Sequence, residues 1–183
     1  MKTVLLIILL LGISAVATAQ DRFVTKSGHI WFYSKTPLET IEAHNNQVAT
    51  VISTKKGTIA FDIIMKSFKF QRALMEEHFN ENYIESEKFP KCTFTGKFLD
   101  FDLNNFTKPG TYKVTVEGDM TMHGVTKHVK EAGTLEIKEG SIYAKSKFHI
   151  IPQDYNINIP GIVKDKIAAN MEINVDIQYQ AFK

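Results

Sequence analysis

Apolar and polar residues alternate one by one along much of this chain, the period that sends successive side chains to opposite faces of a β-sheet. Within residues 57–66, Ile59, Phe61, Ile63 and Met65 share one face. Within 90–101 that face carries Cys92, Phe94, Gly96 and Phe98, against Thr93, Thr95 and Lys97. Tyr112, Val114, Val116, Gly118 and Met120 then oppose Lys113, Thr115, Glu117 and Asp119, and Ile142, Ala144, Ser146, Phe148 and Ile150 form a further set. The cleanest run is the last, in which Ile167, Ala169, Met171, Ile173, Val175, Ile177 and Tyr179 alternate with polar neighbours. Fainter runs cover 27–33, 48–53 and 129–137. About eight strands separated by short polar turns predict an all-β antiparallel sandwich or barrel. One apolar and one polar face per strand suits a sheet closed on itself with its apolar side inward. The outer faces carry Lys, Glu, Asp and Asn, poor neighbours for lipid, so a soluble barrel is expected rather than a membrane one.

One stretch follows a different period. Phe70, Leu74 and His78 fall at i, i+4 and i+8, and Met75 and Phe79 form a second i, i+4 pair beside them. A short helix over 72–83 is therefore expected, with Leu74, Met75 and Phe79 against one end of the barrel. Glu76, Glu77 and Glu81 occupy most of the remaining surface. His78 and Glu81 lie one turn apart and could both reach a metal ion. The usual pattern needs a second histidine on the same helical face and a third ligand elsewhere, and only one histidine is present here. A solvated helix face is the simpler reading.

The first nineteen residues read as a secretory leader: Met1-Lys2 is a short positive start, residues 4–11 are apolar, and Ala17-Thr18-Ala19 supplies small residues at a cleavage site. The stretch is short for a membrane span. Cleavage near Ala19 leaves 20–183 as one domain, placed in a periplasm or outside the cell, with no stable membrane insertion of the mature chain. Of 183 residues, 22 are Lys or Arg and 20 are Asp or Glu, a formal net charge of +2. The charges are interspersed, so no nucleic-acid-binding block is present. Cys92 is the one cysteine, which excludes an internal disulfide and a cysteine-based zinc cluster. Its alternation with Phe94 and Phe98 points to a buried thiol rather than a nucleophile.

The remaining histidines make no case for catalysis. His123 stands before Gly124 and reads as part of a turn between two strands, bonded to backbone, although a metal pair with His128 is an alternative. His29 and His149 lie in strand patterns, and His44 falls in the polar stretch Glu-Ala-His-Asn-Asn-Gln, read as a turn. No nucleophile elbow, phosphate loop or HExxH motif appears. No catalytic residue, metal ligand or cofactor is assigned.

The stretches MEEHFNENYIESEKFPKCTF and GDMTMHGVTKHV together resemble the YceI family. The matching pieces are a helix rich in His and acidic residues, the run through Phe89-Pro90 to Thr93-Phe94, and Met122 to Lys127. The resemblance covers most of the chain from about Phe23 onward. Two departures concern the ligand more than the fold: Gly28-His29-Ile30-Trp31-Phe32 replaces a His-Ser opening, and Pro152-Gln153-Asp154-Tyr155-Asn156 replaces an Arg-Ser-Asp-Phe-Gly-like segment. The resemblance implies a secreted or periplasmic bacterial protein with a lipocalin-like barrel that holds a polyisoprenoid or another long-chain amphiphile.

The apolar inward face supplies candidate lining residues for such a ligand: Phe61, Ile63, Phe94, Phe98, Val114, Val116, Phe148, Ile150 and Ile173. Leu74, Met75 and Phe79 of the helix would cover it. Core and cavity linings are alike in composition, so two further readings stay open. One is a filled barrel that acts through its surface, for example in envelope stress; the other is a metal- or histidine-dependent secreted enzyme around His78, His123 or His128. A homodimer is also left open.

Overall fold

The computed structural model describes residues 21–182; the leader expected at 1–19 lies outside them. Eight long strands run antiparallel: β1 (Arg22–Lys35), β2 (Thr40–Ser53), β3 (Thr58–Ile64), β5 (Lys91–Leu99), β6 (Gly110–Met122), β7 (Val125–Lys138), β8 (Ser141–Ile150) and β9 (Met171–Ala181). A ninth, β4 (Lys69–Phe70), adds two residues beside β2. The order β1-β9-β8-β7-β6-β5-β3-β2 returns to its start because β2 also pairs with β1, and the sheet closes as a barrel. One short helix, α1 (Ala73–His78), lies across an end. This is the closed antiparallel barrel that the alternation predicts, of the lipocalin-like kind that the family resemblance implies, with the short helix expected from the i, i+4 spacing. No helix among the described residues is long and apolar enough to cross a membrane.

The register places the expected faces inward. Ile59, Phe61 and Ile63 oppose Gly96, Phe94 and Cys92. Phe94 and Phe98 oppose Met120 and Val116, and Ile142, Ala144 and Phe148 oppose Tyr179, Ile177 and Ile173. Gly96 and Gly118 face each other across β5 and β6. A Cβ on Gly118 would stand 2.2 Å from the Thr95 carbonyl oxygen, so this tight crossing accepts no side chain there.

Several boundaries differ from the sequence reading, each for a local reason. The fainter runs prove to be the longest strands, with β1, β2 and β7 at fourteen residues each. Irregular register between Thr25 and Gly28, and again between Gly28 and Ile30, breaks the parity of β1 and hides its alternation. His44 is a strand residue of β2, paired with Trp31, rather than a turn residue. The last strand begins at Met171, because residues 163–167 turn back on themselves through bonds from Lys166 and Ile167 N–H to the Val163 carbonyl. The helix over 72–83 is an α-helix only to His78; Phe79–Tyr83 widens into a π-turn, with the Asn80 amide donating to the Glu76 carbonyl at 2.8 Å. Met65 stays buried in a 3-10 turn just past the end of β3.

Glu131 marks the one acidic position on the inward face of β7, opposite Val116. Partial burial holds its carboxyl above the usual carboxylate range, against a smaller opposing pull from His149. A carboxyl raised in the folded state favours folding while protonated. That contribution is complete below its unfolded value and is lost as pH rises through the folded one. Glu131→Gln is therefore expected to melt at a higher temperature than the wild type at pH 7. The gap should narrow as pH falls toward about 4, near the unperturbed carboxylate value; a gap independent of pH would count against this account.

Candidate functional site: an apolar cavity under a helical lid

The two ends of the barrel are packed differently. At the end carrying the β2–β3, β5–β6 and β7–β8 connections, large side chains fill the interior. Ile52, Ile142, Ile177 and Tyr179 have no exposed surface there, and Leu135 has almost none. Thr50 donates to the Ala60 carbonyl at 2.7 Å and meets the Tyr179 hydroxyl at 2.9 Å, so this buried phenol is satisfied and burial pushes its pKa upward. Phe98 stacks its edge against Phe101 and Phe106, which close the floor.

The other end is hollow. A cavity of about 460 Å³ lies between the strand ends and α1. Its wall takes Ile30 and Phe32 from β1, Ile63 from β3, Met120 and Met122 from β6, Phe148 and Ile150 from β8, and Ile173 from β9. Ile157, Ile159 and Ile167 from the long β8–β9 connection complete it. Inside, polarity is sparse. Ser34 accepts from the Ala168 N–H at 2.8 Å, and burial pushes the Cys92 thiol up to about 12, so it stays protonated and inert. The charged lining groups, Glu39, Arg72 and Lys166, come from the β1–β2 connection, the approach to α1 and the β8–β9 connection.

The lid is held by polar ties and by aromatic contact. Glu76 bonds the Lys69 ammonium at 2.5 Å and the Phe70 N–H at 3.3 Å, and Arg72 pairs with Glu39 of the β1–β2 loop. Glu76 is thus a tether rather than part of the wet face. Beneath it Phe79 meets Phe32, Phe68 and Phe70 with ring centroids 5.1–5.8 Å apart. Leu74 lines the cavity with one flank yet is 60% exposed, as no residue of α1 is fully buried. A short helix with so little burial has the character of a low-stability element.

A second device supports the same end. The β6–β7 turn has positive φ at both His123 and Gly124, 50° and 74°, the conformation of a two-residue hairpin. It sends the His123 ring inward, 4.4 Å from Phe89. The ring nitrogens meet the Tyr155 carbonyl at 3.0 Å and the Glu85 carboxylate at 2.9 Å, both acceptors, so it donates to both only when each nitrogen carries a proton. His123 therefore ties the segment after the lid to the β8–β9 connection.

Of the lining residues expected from sequence, Ile63, Phe148, Ile150 and Ile173 border the cavity, as do Leu74, Met75 and Phe79 of the lid. Phe61, Phe94, Phe98 and Val116 pack against the core without bordering it; Phe61 and Phe94 meet edge to face at 6.3 Å. Val114 is buried and borders a separate groove on the outer wall. That groove is larger, about 770 Å³, but more open, and two of its lysines are engaged: Lys145 with Asp176 and Lys147 with Glu172. A more apolar wall and a less open mouth, not size, single out the inner cavity. Alternation did not point to Phe68, Ile157 or Ile159, because they come from connections. Ile30 and Phe32 already shared a parity that could have marked them.

The histidines do not assemble. His123 faces the interior, whereas His128 bonds Asp119 at 2.8 Å on an exposed surface. His29 and His44 meet at 2.9 Å on the outer wall beside Trp31, with His44 also bonded to Glu42. Among the described residues no three His, Cys, Asp or Glu converge as metal ligands.

A closed antiparallel barrel, solid at one end and hollow with a helical lid at the other, is the architecture of small lipocalin-like binding proteins. The model of the YceI-like domain matches residues 16–179, and the chain belongs to that family. Its fold is similar to a polyisoprenoid binding domain from Saccharophagus degradans implicated in plant cell wall breakdown, with TM-score 0.73, 14% identity, 90% of this chain and 100% of that one covered. It is similar also to BcnA of Burkholderia cenocepacia, at TM-score 0.70 and 14% identity over 82% of this chain and 95% of that one. The YCEI protein of Campylobacter jejuni matches at TM-score 0.61 and 15% identity, over 77% and 85% respectively. No curated protein matches the chain.

Removing the ring of His123 strands a buried carbonyl and loosens both segments it joins. His123→Ala should lower unfolding free energy by about 1–3 kcal/mol, read from the urea midpoint at unchanged m-value. A change within experimental error would show that the tie contributes little.

Proposed function

We propose that the protein binds one long apolar chain, fatty-acyl or prenyl, in the hollow half of the barrel, and serves as its carrier, store or sensor in the cell envelope. The observation that carries this reading is the half-enclosed apolar cavity of about 460 Å³ beneath α1. At about 30 Å³ per heavy atom the space holds roughly fifteen such atoms, one chain rather than a bilayer lipid with two. Burying ten methylene equivalents contributes about 8 kcal/mol, and ordering costs offset several of these. The outcome falls near the micromolar range without a specific polar contact.

Binding is favoured over catalysis by the chemistry of the lining. Its ionisable groups, apart from a protonated buried thiol, come from the connections and the lid rather than from the apolar strand wall, and no nucleophile faces a base. Family membership supports the lipid reading, as does the printed description of the Saccharophagus neighbour as a polyisoprenoid binding domain. The expected leader agrees with an envelope location.

A fluorescent C15–C16 acyl or prenyl probe, about the capacity derived above, tests the reading. Wild type is expected to take it up with a blue-shifted emission. Ile63→Trp fills the cavity and should weaken uptake at least about tenfold, or 1.4 kcal/mol. Leu74→Asp, which puts a charge on the lid, should do the same, with far-UV circular dichroism retained in both. A wild-type protein that excludes every such probe, or a cavity-filled variant that binds as wild type does, would overturn the proposal.

A further inference from the structure

The barrel wall is not paired along its whole height. β7 pairs with β6 over thirteen positions, from Val125 opposite Met122 to Ile137 opposite Gly110. Its pairing with β8 covers only Gly133–Lys138 against Ser141–Ser146. Beyond that point the two strands part, and a side chain makes the last tie: the Ser146 hydroxyl donates to the Ala132 carbonyl at 2.6 Å. The segment after β8 returns to the β6–β7 turn, where the Tyr155 carbonyl meets His123. Its backbone bonds are spent on itself, from Asp154 to Ile151, Asn156 to Gln153 and Ile157 to Pro152. No backbone hydrogen bond among the described residues joins it to β7.

The alternation of an antiparallel pair tells which backbone groups are left over. Met122 and Val125 flank a two-residue turn and exchange bonds, so Lys127, Val129 and Glu131 bond β6 as well. Thr126, His128 and Lys130 turn their N–H and C=O groups the other way, into the cleft, where no strand meets them. All three residues are exposed. Edges of this kind are commonly guarded by lysines or inward charges that repel a second strand. Here the charges are of both signs. On the inner face Lys127 and Glu131 stand on either side of Val129, and neither forms an ion pair among the described residues. On the outer face His128 meets Asp119 at 2.8 Å and Glu117 at 3.6 Å, and Lys130 lies opposite Glu117. Across the cleft Lys147 is held by Glu172, His149 is exposed and acts on Glu131, and Asp154 acts on the buried Tyr155.

We propose that this free edge of β7 is an interaction surface for a second copy of the chain, joined by antiparallel pairing of residues 126–132 about Val129. Two-fold symmetry fixes the register. Val129 faces Val129, each His128 exchanges backbone bonds with the other copy's Lys130, and each Lys127 stands opposite the other copy's Glu131. Two opposite-charge pairs thus flank an apolar pair on one face. On the other face each Lys130 meets a histidine already flanked by two carboxylates. A shift by two residues in either direction loses both charge pairs. Charge complementarity therefore selects this register, and selects this chain over an arbitrary strand. The contact is small, so the dimer is a weak one. The added strand would lie beside the stretch of wall that Phe148, Ile150, Pro152 and Ile157 give to the cavity. That consequence rests on the lipid-binding reading; the association does not.

The test uses the chain beginning at Gln20, which keeps every described element. Sedimentation velocity from about 1 µM to about 1 mM reads the association, and amide exchange followed by NMR locates it. Wild type is expected to pass from monomer to dimer, with exchange slowing at His128 and Lys130 but not at Lys127 and Val129, which already bond β6. Lys127→Glu sets like charges opposite each other twice and should weaken the dimer about tenfold. Adding Glu131→Lys to it restores opposite charges and should bring the dimer back to within about threefold of wild type. Lys130→Pro removes a donor from the free edge and none from β6, and should abolish the dimer with far-UV circular dichroism retained. A chain that stays monomeric at every concentration would overturn the proposal. So would a dimer whose slowed amides lie elsewhere, or a double variant that associates no better than Lys127→Glu alone. None of these readouts contains lipid, so a protein that excludes every chain probe can still pass them.

Discussion

Pairing of β1 with β2 is the contact on which the rest depends. Without it the sheet would end in two long edges, β1 at one side and β2 with its short neighbour β4 at the other. Such edges expose unpaired backbone groups. The pairing runs from Arg22 opposite Ser53 to Lys35 opposite Thr40, the full length of both strands. Closure removes those edges and leaves an interior that must be filled by side chains or stay open to a ligand. It also explains a polar feature of the core. Asn45, fully buried on β2, donates to the Ile64 carbonyl at 2.9 Å and accepts from the Gln47 N–H, satisfying backbone where β1 and β2 fall out of regular register.

Whether the barrel is solid or hollow turns on where its aromatic and branched side chains fall along the axis. At the filled end Phe98, Phe101, Phe106 and Tyr112 form a chain of edge contacts that leaves no space. At the hollow end Phe32, Phe68, Phe70 and Phe79 lean together toward the lid and leave a volume beneath it. Similar residue types thus seal one end and roof the other. The difference lies in what covers them: a 3-10 turn at Leu103–Thr107, which buries Phe106, against a single helical turn with no buried residue.

The polar groups near the hollow end serve assembly more than chemistry. His123, Glu76 and Ser34 each join two segments that would otherwise be loosely related. Between them they fix the lid's approach, the segment behind it and the return of the chain into β9. The lid itself remains lightly packed.

Much of the fold was legible in the sequence because a period of two is a local property: Ile59, Phe61 and Ile63 declare their shared face whatever the strand pairs with. The same holds for the amphipathic stretch that includes Leu74, Met75 and Phe79. The sequence was less clear where parity is broken by irregular register, as in β1, or where a polar composition resembles a turn, as around His44. It was silent on depth. Alternation says that Phe61, Phe94 and Phe98 point inward just as Ile63, Phe148 and Ile173 do, but not at which end of the barrel each lies, since that depends on strand register and on what folds across the opening. The lid and the cavity beneath it bring together residues from positions as far apart as Ile30 and Ile173. Inward and outward were therefore determined by the sequence, because they follow from neighbours along one strand. Filled and hollow were decided only by the tertiary structure, because they follow from neighbours across the whole barrel.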